Sequence, residues 1–140
     1  MIANRSVPDA SVIPVLAYAD VAEATDWLCS AFAFRVRLRI GKHRAQLLYG
    51  EGAVIVTQLA DSVDAPRTMR SHAVHLRVDD AASHHQQAVK CGARIIQPPT
   101  DYPYGERQYT AEDLGGHHWT FSESIADVDP ASWGGTLGVE

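Results

Sequence analysis

Two adjacent histidines, a third histidine and one arginine are the residues of this sequence whose types and spacing could do chemistry. His117 and His118 stand side by side in the segment YGERQYTAEDLGGHHWTFSE at 104–123, and His75 and Arg77 lie two apart in an earlier apolar run. An imidazole can bind a metal ion or transfer a proton near neutral pH, and a guanidinium can hold a carboxylate or a phosphate. These residue types indicate either a metal centre or a pocket with a few polar anchors.

Strand alternation decides where the adjacent histidines point. Neighbouring residues of a strand face opposite sides of the sheet, so His117 and His118 cannot bind one ion together. Alternation with Trp119 and Phe121, which should pack under a helix, places His117 on the helix side. We expect His117 to be a hydrogen-bonded structural residue and His118 to face a pocket.

On the earlier strand, the same argument turns His75 and Arg77 toward the pocket, opposite the apolar residues between them. Arg77 needs an anionic partner, either a ligand group or an internal Glu106 or Glu112. His75 could act as an acid or base near neutral pH, or could be a satisfied hydrogen-bonding residue. It is the candidate catalytic residue.

Alternation along the other strands predicts a pocket wall that is half apolar and half polar, as small-molecule sites usually are. The predicted polar ligand contacts are Gln58, His75, Arg77, Gln108, Thr110, His118 and Thr120, and the predicted apolar wall consists of Ile13, Val15, Ala17, Val54 and Val56. Tyr102 and Tyr104 lie in a loop and could stack on a flat ligand or could only pack that loop.

The elements that would position these residues form one unit used twice. Asp20 and Asp80 each end an apolar run and can cap a following helix, at 21–32 and 81–92. Strands follow each helix, so the sequence predicts an α+β fold of two tandem β-α-β-β-β modules. These modules should form a cupped mixed sheet with the helices on the outside.

The 140 residues, with 46% apolar and 21% charged side chains, suit a single domain. The predicted parts are module one at 11–59, a polar linker at 60–70, module two at 71–122 and a tail at 123–140. In module two, strands are expected at 93–97, 107–111 and 117–122, with a Pro/Tyr loop after the first.

Several side chains are expected to be structural or solvated. Arg35, Arg37 and Arg39 alternate with apolar residues and should form a solvated strand face, with an interface or a pocket rim as the alternatives. His84 and His85 are expected on a helix surface. Arg107 is expected to pair with Asp113, and Trp133 of the tail either docks on the body or stays loose.

Composition excludes several function classes. The formal charge of −5 and the lack of a Lys/Arg block argue against nucleic-acid binding. The apolar runs are too short to cross a membrane, and residues 1–12 lack the apolar core of a signal peptide. Cys29 and Cys91 are then expected as reduced thiols in a cytoplasmic protein, with a disulfide or a redox couple as the alternatives. The sequence also has no P-loop and no dinucleotide glycine motif.

Three segments carry a family resemblance: WLCSAFAF at 27–34, HLRVDDAASHHQQAVKCGARI at 75–95 and YGERQYTAEDLGGHHWTF at 104–121. They resemble the vicinal oxygen chelate superfamily of glyoxalases, bleomycin-resistance proteins and extradiol dioxygenases, and the third is typical of its PhnB-like or glyoxalase-like branch. The resemblance implies a cup that holds a small ligand, a homodimer and, in many members, a divalent metal.

The resemblance also implies where metal ligands would stand, one from each of four strands. These positions fall on Ile13, Val56, Ala73 and Thr120, and none is a His, Asp or Glu. We therefore expect no catalytic metal. The alternative is a relocated site in which His75 and His118 bind a divalent ion with Glu106 or Glu112.

The sequence thus predicts a glyoxalase-like protein that binds a small organic molecule, anionic or aromatic, without a catalytic metal. The alternative is a metal-dependent lyase or isomerase of the glyoxalase type that uses the relocated histidine site. A third hypothesis is metal-free acid–base catalysis by His75.

Overall fold

The computed structural model describes residues 4–60 and 72–138. The first half contains β1 (Val15–Tyr18), α1 (Val21–Phe32), β2 (Arg35–Ile40), β3 (Arg44–Tyr49) and β4 (Gly52–Gln58). The second half contains β5 (Val74–Arg77), α2 (Ala81–Lys90), β6 (Arg94–Tyr102), β7 (Glu106–Glu112) and β8 (His118–Ser124), followed by a 3-10 helix at Pro130–Trp133. The predicted linker at 60–70 lies, apart from its first residue, outside the described residues.

Both halves build the same four-stranded mixed sheet. The strand orders are β1-β4-β3-β2 and β5-β8-β7-β6, and in each sheet the first strand runs parallel to the last one of its unit. The remaining neighbours are antiparallel. The predicted α+β class with two β-α-β-β-β units is confirmed.

The helices begin where the sequence predicts. Asp20 Oδ1 accepts a hydrogen bond from Glu23 N at 3.0 Å, and Asp80 Oδ1 accepts one from Ser83 N at 3.1 Å. Each cap satisfies a backbone donor that the first helical turn leaves open. In the described residues, no helix has both the length and the apolar character needed to cross a bilayer.

The two helices contact each other, and a core of aromatic side chains joins the halves. The ring centroid of Phe32 at the end of α1 lies 5.4 Å from Trp119 and 4.8 Å from Phe121, both on β8. These two β8 residues are fully buried. Because the core lies on the helix side of both sheets, each sheet keeps one face that points away from it.

His84 belongs to this core, so its predicted place on the helix surface is wrong. Its Nε2 donates to Phe32 O at 3.0 Å and its Nδ1 bonds the hydroxyl of Tyr109. The reason is helical spacing: His84 shares a face with the buried residues Ala81 and Ala88. Burial lowers the pKa of His84, against the opposing effect of the bond to Phe32.

Asp113 forms the seam between the halves. Its carboxylate accepts from the Tyr18 hydroxyl at 2.5 Å and the Trp119 indole N–H at 2.9 Å, and from two backbone N–H groups of its own turn. His117 completes the seam, since its Nε2 contacts Ala17 O at 2.8 Å. Burial and then the adjacent carboxylate raise the pKa of Tyr18. The structural role predicted for His117 agrees with this contact.

The predicted pairing of Arg107 with Asp113 is wrong. Arg107 Nε donates to Asp101 Oδ1 at 2.6 Å, because the two residues are direct partners across β6 and β7. The predicted Pro/Tyr loop is also too long, since β6 continues through Pro98 and Pro99. This strand is the edge of its sheet, where proline is tolerated, and its pairing shifts register before them, between Ile95 and Gln97, and across them, between Gln97 and Thr100.

The arginine stripe of β2 is split by a register shift between Val36 and Leu38. Arg39 turns to the helix side and pairs with Asp26 of α1 at 3.0 Å. Arg37 turns to the other face, where its Nη1 donates to Gln46. The predicted single solvated stripe is therefore wrong, because a bulge reverses the alternation of the side chains that follow it.

Residues 4–8, which we call the N-terminal strap, cover that other face of the first sheet. Gln46 Nε2 donates to Ser6 O at 2.8 Å and Arg37 Nη2 donates to Arg5 O at 3.0 Å. Pro8 is buried, and Gln46 is only 2% exposed although its side chain projects away from the helices. The strap thus shields the part of this face around Gln46, while Val15 of β1 on the same face stays 53% exposed.

Candidate functional site

The face of the second sheet that points away from α2 is uncovered, and we call it the open face. Alternation and cross-strand pairing define it, because Tyr109, Ala111, Trp119 and Phe121 point into the core. Its members are almost all polar: His75 and Arg77 of β5, His118, Thr120 and Ser122 of β8, and Glu106, Gln108, Thr110 and Glu112 of β7.

Most of the predicted polar contacts meet on this face. His75 pairs with Thr120 across β5 and β8, and Thr120 pairs with Thr110 across β8 and β7. The two threonine hydroxyls bond each other at 2.9 Å. Gln108 lies one pair further along β7 and His118 one pair back along β8.

Gln58, Val54 and Val56 do not face the open side of either sheet, so their predicted orientation is wrong. Val54 and Val56 are buried in the shared core. Gln58, on the same side of β4, donates to Ala19 O at 2.6 Å. The residue of β4 that faces away from the helices is Ile55, and it is 8% exposed.

Glu106 has three polar neighbours on the open face. Its Oε1 accepts hydrogen bonds from Ser122 Oγ and from Gln108 Nε2, the latter at 2.9 Å, and lies 3.9 Å from His75 Nε2. The bond from Ser122 is the main cause that lowers the pKa of Glu106, so its carboxylate is held ionised. Glu106 stands two residues before Gln108 on β7, so strand alternation places both on the same face.

Glu112 is the second carboxylate of the face. Its Oε2 accepts from Arg94 Nη1 of β6 at 2.6 Å, and its Oε1 lies 3.6 Å from His118 Nε2. Each pocket histidine therefore has one carboxylate within reach. An imidazole beside a carboxylate can hold a proton and hand it to a bound molecule.

Arg77 is left without a carboxylate among the described residues. The ion pairs of this part of the chain engage Glu106 with His75, and Glu112 with Arg94 and His118. Of the two internal partners that the sequence suggested for Arg77, neither is used. Its guanidinium is exposed at the free edge of the sheet, since β5 is the outermost strand.

Tyr102 and Tyr104 stack on each other rather than close over the face. Their ring centroids are 5.3 Å apart at 13°, and Trp133 of the tail meets Tyr104 edge-on at 5.6 Å. The tail is thus docked on the body. The Tyr102 hydroxyl also accepts from Gln97 Nε2 at 2.5 Å, which ties the stack to the rim of the open face.

A cleft of about 670 Å³ opens beside β5, between the two halves. One wall is the turn between β3 and β4 with Tyr49 and Val54, the other is β5 with His75 and Arg77, and Phe34 also lines it. We call this space the inter-module cleft. It adjoins the open face along β5, so one ligand could contact both.

The residues present do not fit the metal site that the resemblance implies. Ile13, Ala73 and Ile55, the residue of β4 that faces away from the core, carry no donor atom, and the Thr120 hydroxyl is bonded to Thr110. Within residues 4–60 and 72–138, no three His, Cys, Asp or Glu side chains are grouped to hold an ion. The expectation of a metal-free site stays a prediction.

Comparisons with known sequences give a family and distant relatives. A sequence model of the Glyoxalase/Bleomycin resistance protein/Dioxygenase superfamily matches residues 12–121. An uncharacterized protein of Mycobacterium bovis is 30% identical over 56 residues, which cover 40% of this chain and 37% of that protein. A protein of Mycobacterium tuberculosis matches equally over 33% of its length. The chain therefore spans well under half of the curated relatives it matches.

Solved structures are similar over more of the chain. The crystal structure of TioX from Micromonospora sp. ML1 is 36% identical with a TM-score of 0.68, covering 81% of this chain and 98% of TioX. A glyoxalase-related enzyme from Fulvimarina pelagi is 15% identical with a TM-score of 0.67, covering 82% and 88% of the two chains. The second likeness shows the fold alone.

Proposed function

The chain belongs to the glyoxalase/bleomycin resistance protein/dioxygenase superfamily, and we propose that it binds a small organic molecule on the open face of its second sheet. The observation that carries the proposal is the uncovered cluster of polar side chains from three neighbouring strands. The equivalent face of the first sheet is partly covered by the N-terminal strap, which bonds Arg37 and Gln46. A few polar groups that converge from neighbouring strands can fix the orientation of a bound ligand.

His75, Arg77 and His118 are the proposed anchors, with Thr110, Thr120 and Gln108 between them. His75 is held near Glu106 yet its side chain is 57% exposed, so it can still contact a ligand. We propose that binding needs no metal, because none of the positions where the family places ligands is a His, Asp or Glu. The segment at 104–121 supports placing the chain in the PhnB-like branch.

We propose that a second copy of the chain closes the site. The open face is a single polar wall, and a wall on one side encloses no ligand. A homodimer would supply the opposite wall and would bury the free edge of β5, which otherwise presents unpaired backbone groups. Light scattering at several protein concentrations tests the dimer.

The test of the binding proposal combines metal analysis with a ligand screen. Untagged protein is analysed for metals before and after soaking in Zn, Ni, Mn and Fe(II), and then screened with small molecules by thermal shift. We expect less than about a tenth of an equivalent of metal. We also expect hits whose shift is lost in His75→Ala and His118→Ala but kept in His43→Ala, a histidine in an exposed turn.

The second candidate function is catalysis, and the carboxylate beside each pocket histidine favours it. In the metal-free form, His75 transfers a proton with the Glu106 carboxylate 3.9 Å away, and the rate depends on a single ionisation. In the metal-dependent form, His75 and His118 bind a divalent ion. Close to one equivalent of metal, lost in both alanine variants, would replace the binding proposal by this lyase or isomerase.

A further inference from the structure

We infer that the ligand is an amphiphilic anion, with an apolar, flat body in the inter-module cleft and an acidic group on Arg77. This inference rests on the proposed function, since it names the ligand class of the same site. Its basis is the position of Arg77, which has no ion-pair partner among the described residues and lies beside a cleft lined by aromatic side chains at β5.

The cleft can take an apolar body of ligand size. Phe34 and Tyr49 form an edge-to-face pair inside it, with ring centroids 5.8 Å apart at 66°, and Val54 and Leu76 add aliphatic surface. Its volume of about 670 Å³ lies inside the range of roughly 300–1,000 Å³ common for small-molecule sites. Aromatic walls of this kind favour flat ligands.

Four ionisable groups besides Tyr49 line the cleft: His75 and Arg77, and the acids Glu51 and Asp79. Burial and then the charge of Asp79 raise the pKa of Tyr49, so the negative charge of Asp79 is felt on the side of the cleft that Tyr49 lines. Arg77 and His75 share the side that joins the open face. An acidic group placed there meets the guanidinium and adjoins the polar cluster.

Arg77 has the chemistry to hold such a group. Its planar fork can give two N–H bonds to one carboxylate or sulfonate, and a guanidinium is weakly hydrated, so it loses little when a ligand replaces water. Among the described residues, Glu106 and Glu112 are occupied by other partners, and neither Glu51 nor Asp79 of the cleft forms an ion pair with Arg77. The binding free energy of an anion is therefore not reduced by breaking an internal ion pair.

Two fluorescent probes that differ by one charge test the inference. Anilinonaphthalene sulfonate carries an acidic group on an aromatic body, and phenylnaphthylamine carries the same rings without it. Each is titrated into wild type, Arg77→Gln, Tyr49→Leu and Arg39→Gln. The last variant is the matched control, since it makes the same charge change at an arginine on the helix side that pairs with Asp26.

We expect Arg77→Gln to raise the sulfonate Kd about tenfold and to leave the neutral probe unchanged, as for the loss of a charge-assisted hydrogen bond. Tyr49→Leu should weaken both probes, and Arg39→Gln neither. Unfolding midpoints confirm that each variant is folded.

Two results would overturn the inference in different ways. If both probes bind and Arg77→Gln does not change the ratio of their Kd values, Arg77 does not bind an acidic group of the ligand, while the cleft remains a small-molecule site. If neither probe binds, or Tyr49→Leu affects neither, the cleft is not the site. The screen with His75→Ala and His118→Ala then decides the proposed function separately.

Discussion

Removing the Asp113 carboxylate should cost a large part of the stability of this fold. The group is 5% exposed and accepts hydrogen bonds from two buried side chains, the Tyr18 hydroxyl and the Trp119 indole. Leaving one buried donor unsatisfied costs about 1–3 kcal/mol. Asp113→Ala leaves both of these donors unsatisfied, so we expect it to lower the free energy of unfolding by about 4 kcal/mol, within a range of about 2–6 kcal/mol.

The measurement is urea denaturation at fixed protein concentration, because self-association would shift the apparent stability. The free energy of unfolding of a domain of this kind is about 5–15 kcal/mol. If the wild type lies near the lower end, Asp113→Ala leaves the folded state only slightly favoured. Asp113→Asn keeps one oxygen for the backbone N–H groups of the turn and should cost about half as much. Tyr18→Phe removes a single partner and should cost about 1.5 kcal/mol.

The double variant Tyr18→Phe/Asp113→Ala isolates the interaction across the seam. Because the two residues are in direct contact, their losses should not add, and the coupling should be about 1–2 kcal/mol. Asp101→Ala is the control, since that carboxylate pairs with Arg107 on the surface and should change little. A loss in Asp113→Ala no larger than in this control would refute the seam as a source of stability.

Three further predictions concern other contacts. Burial lowers the pKa of His84, so its contribution to stability is present above the unfolded pKa of about 6.5 and is lost as pH falls through the folded pKa. Unfolding curves from pH 8 to 5 should show a smaller acid loss in His84→Gln than in wild type. Gly105→Ala should destabilise far more than Gly92→Ala by urea denaturation: both have positive φ, but only at Gly105 would a Cβ lie 2.1 Å from a backbone oxygen. Arg37→Gln should speed trypsin cleavage within the N-terminal strap, measured by mass spectrometry, while Arg35→Gln should not, since of these two arginines only Arg37 bonds the strap.

The sequence predicted the elements best where apolar and polar residues contrast sharply. Polar residues alternate with half-buried apolar ones at β5 and with large buried ones at β8, so alternation alone places His75 and His118 on the face away from the core, as in the structure. Both helix starts were marked by an aspartate that does cap them. In these places the local sequence pattern alone is enough to predict the orientation of the strand residues and the start of the helix.

Alternation failed at β4 for a physical reason. Residues 53–56 are all apolar, because one face packs on the core and the other lies under the N-terminal strap. A strand buried on both faces has no polar residue to fix its orientation. The strap itself is held through Gln46 and Arg37, contacts between residues far apart in the chain, which no local pattern encodes.

The same limit explains His84 and the seam. His84 was expected on the surface because its neighbours in α2 are polar, yet its partner Phe32 belongs to the other half of the chain. Asp113 was assigned to a nearby arginine, whereas its partner Tyr18 is 95 positions away. Contacts between duplicated units depend on how the units dock, and the sequence of one unit does not specify that.

The duplicated architecture explains why one junction is closed and the other is open. Where β1 meets the β7–β8 turn, Tyr18 and Asp113 join the halves, and the remaining space is about 350 Å³. At the corresponding junction, β5 meets the β3–β4 turn, and Val78 stands two residues before the helix cap as Tyr18 does. A valine cannot donate a hydrogen bond, so no equivalent of the Tyr18–Asp113 bond can form there, and about 670 Å³ stays open. The two similar units thus meet in different ways, with a hydrogen-bonded seam on one side and an open cleft on the other.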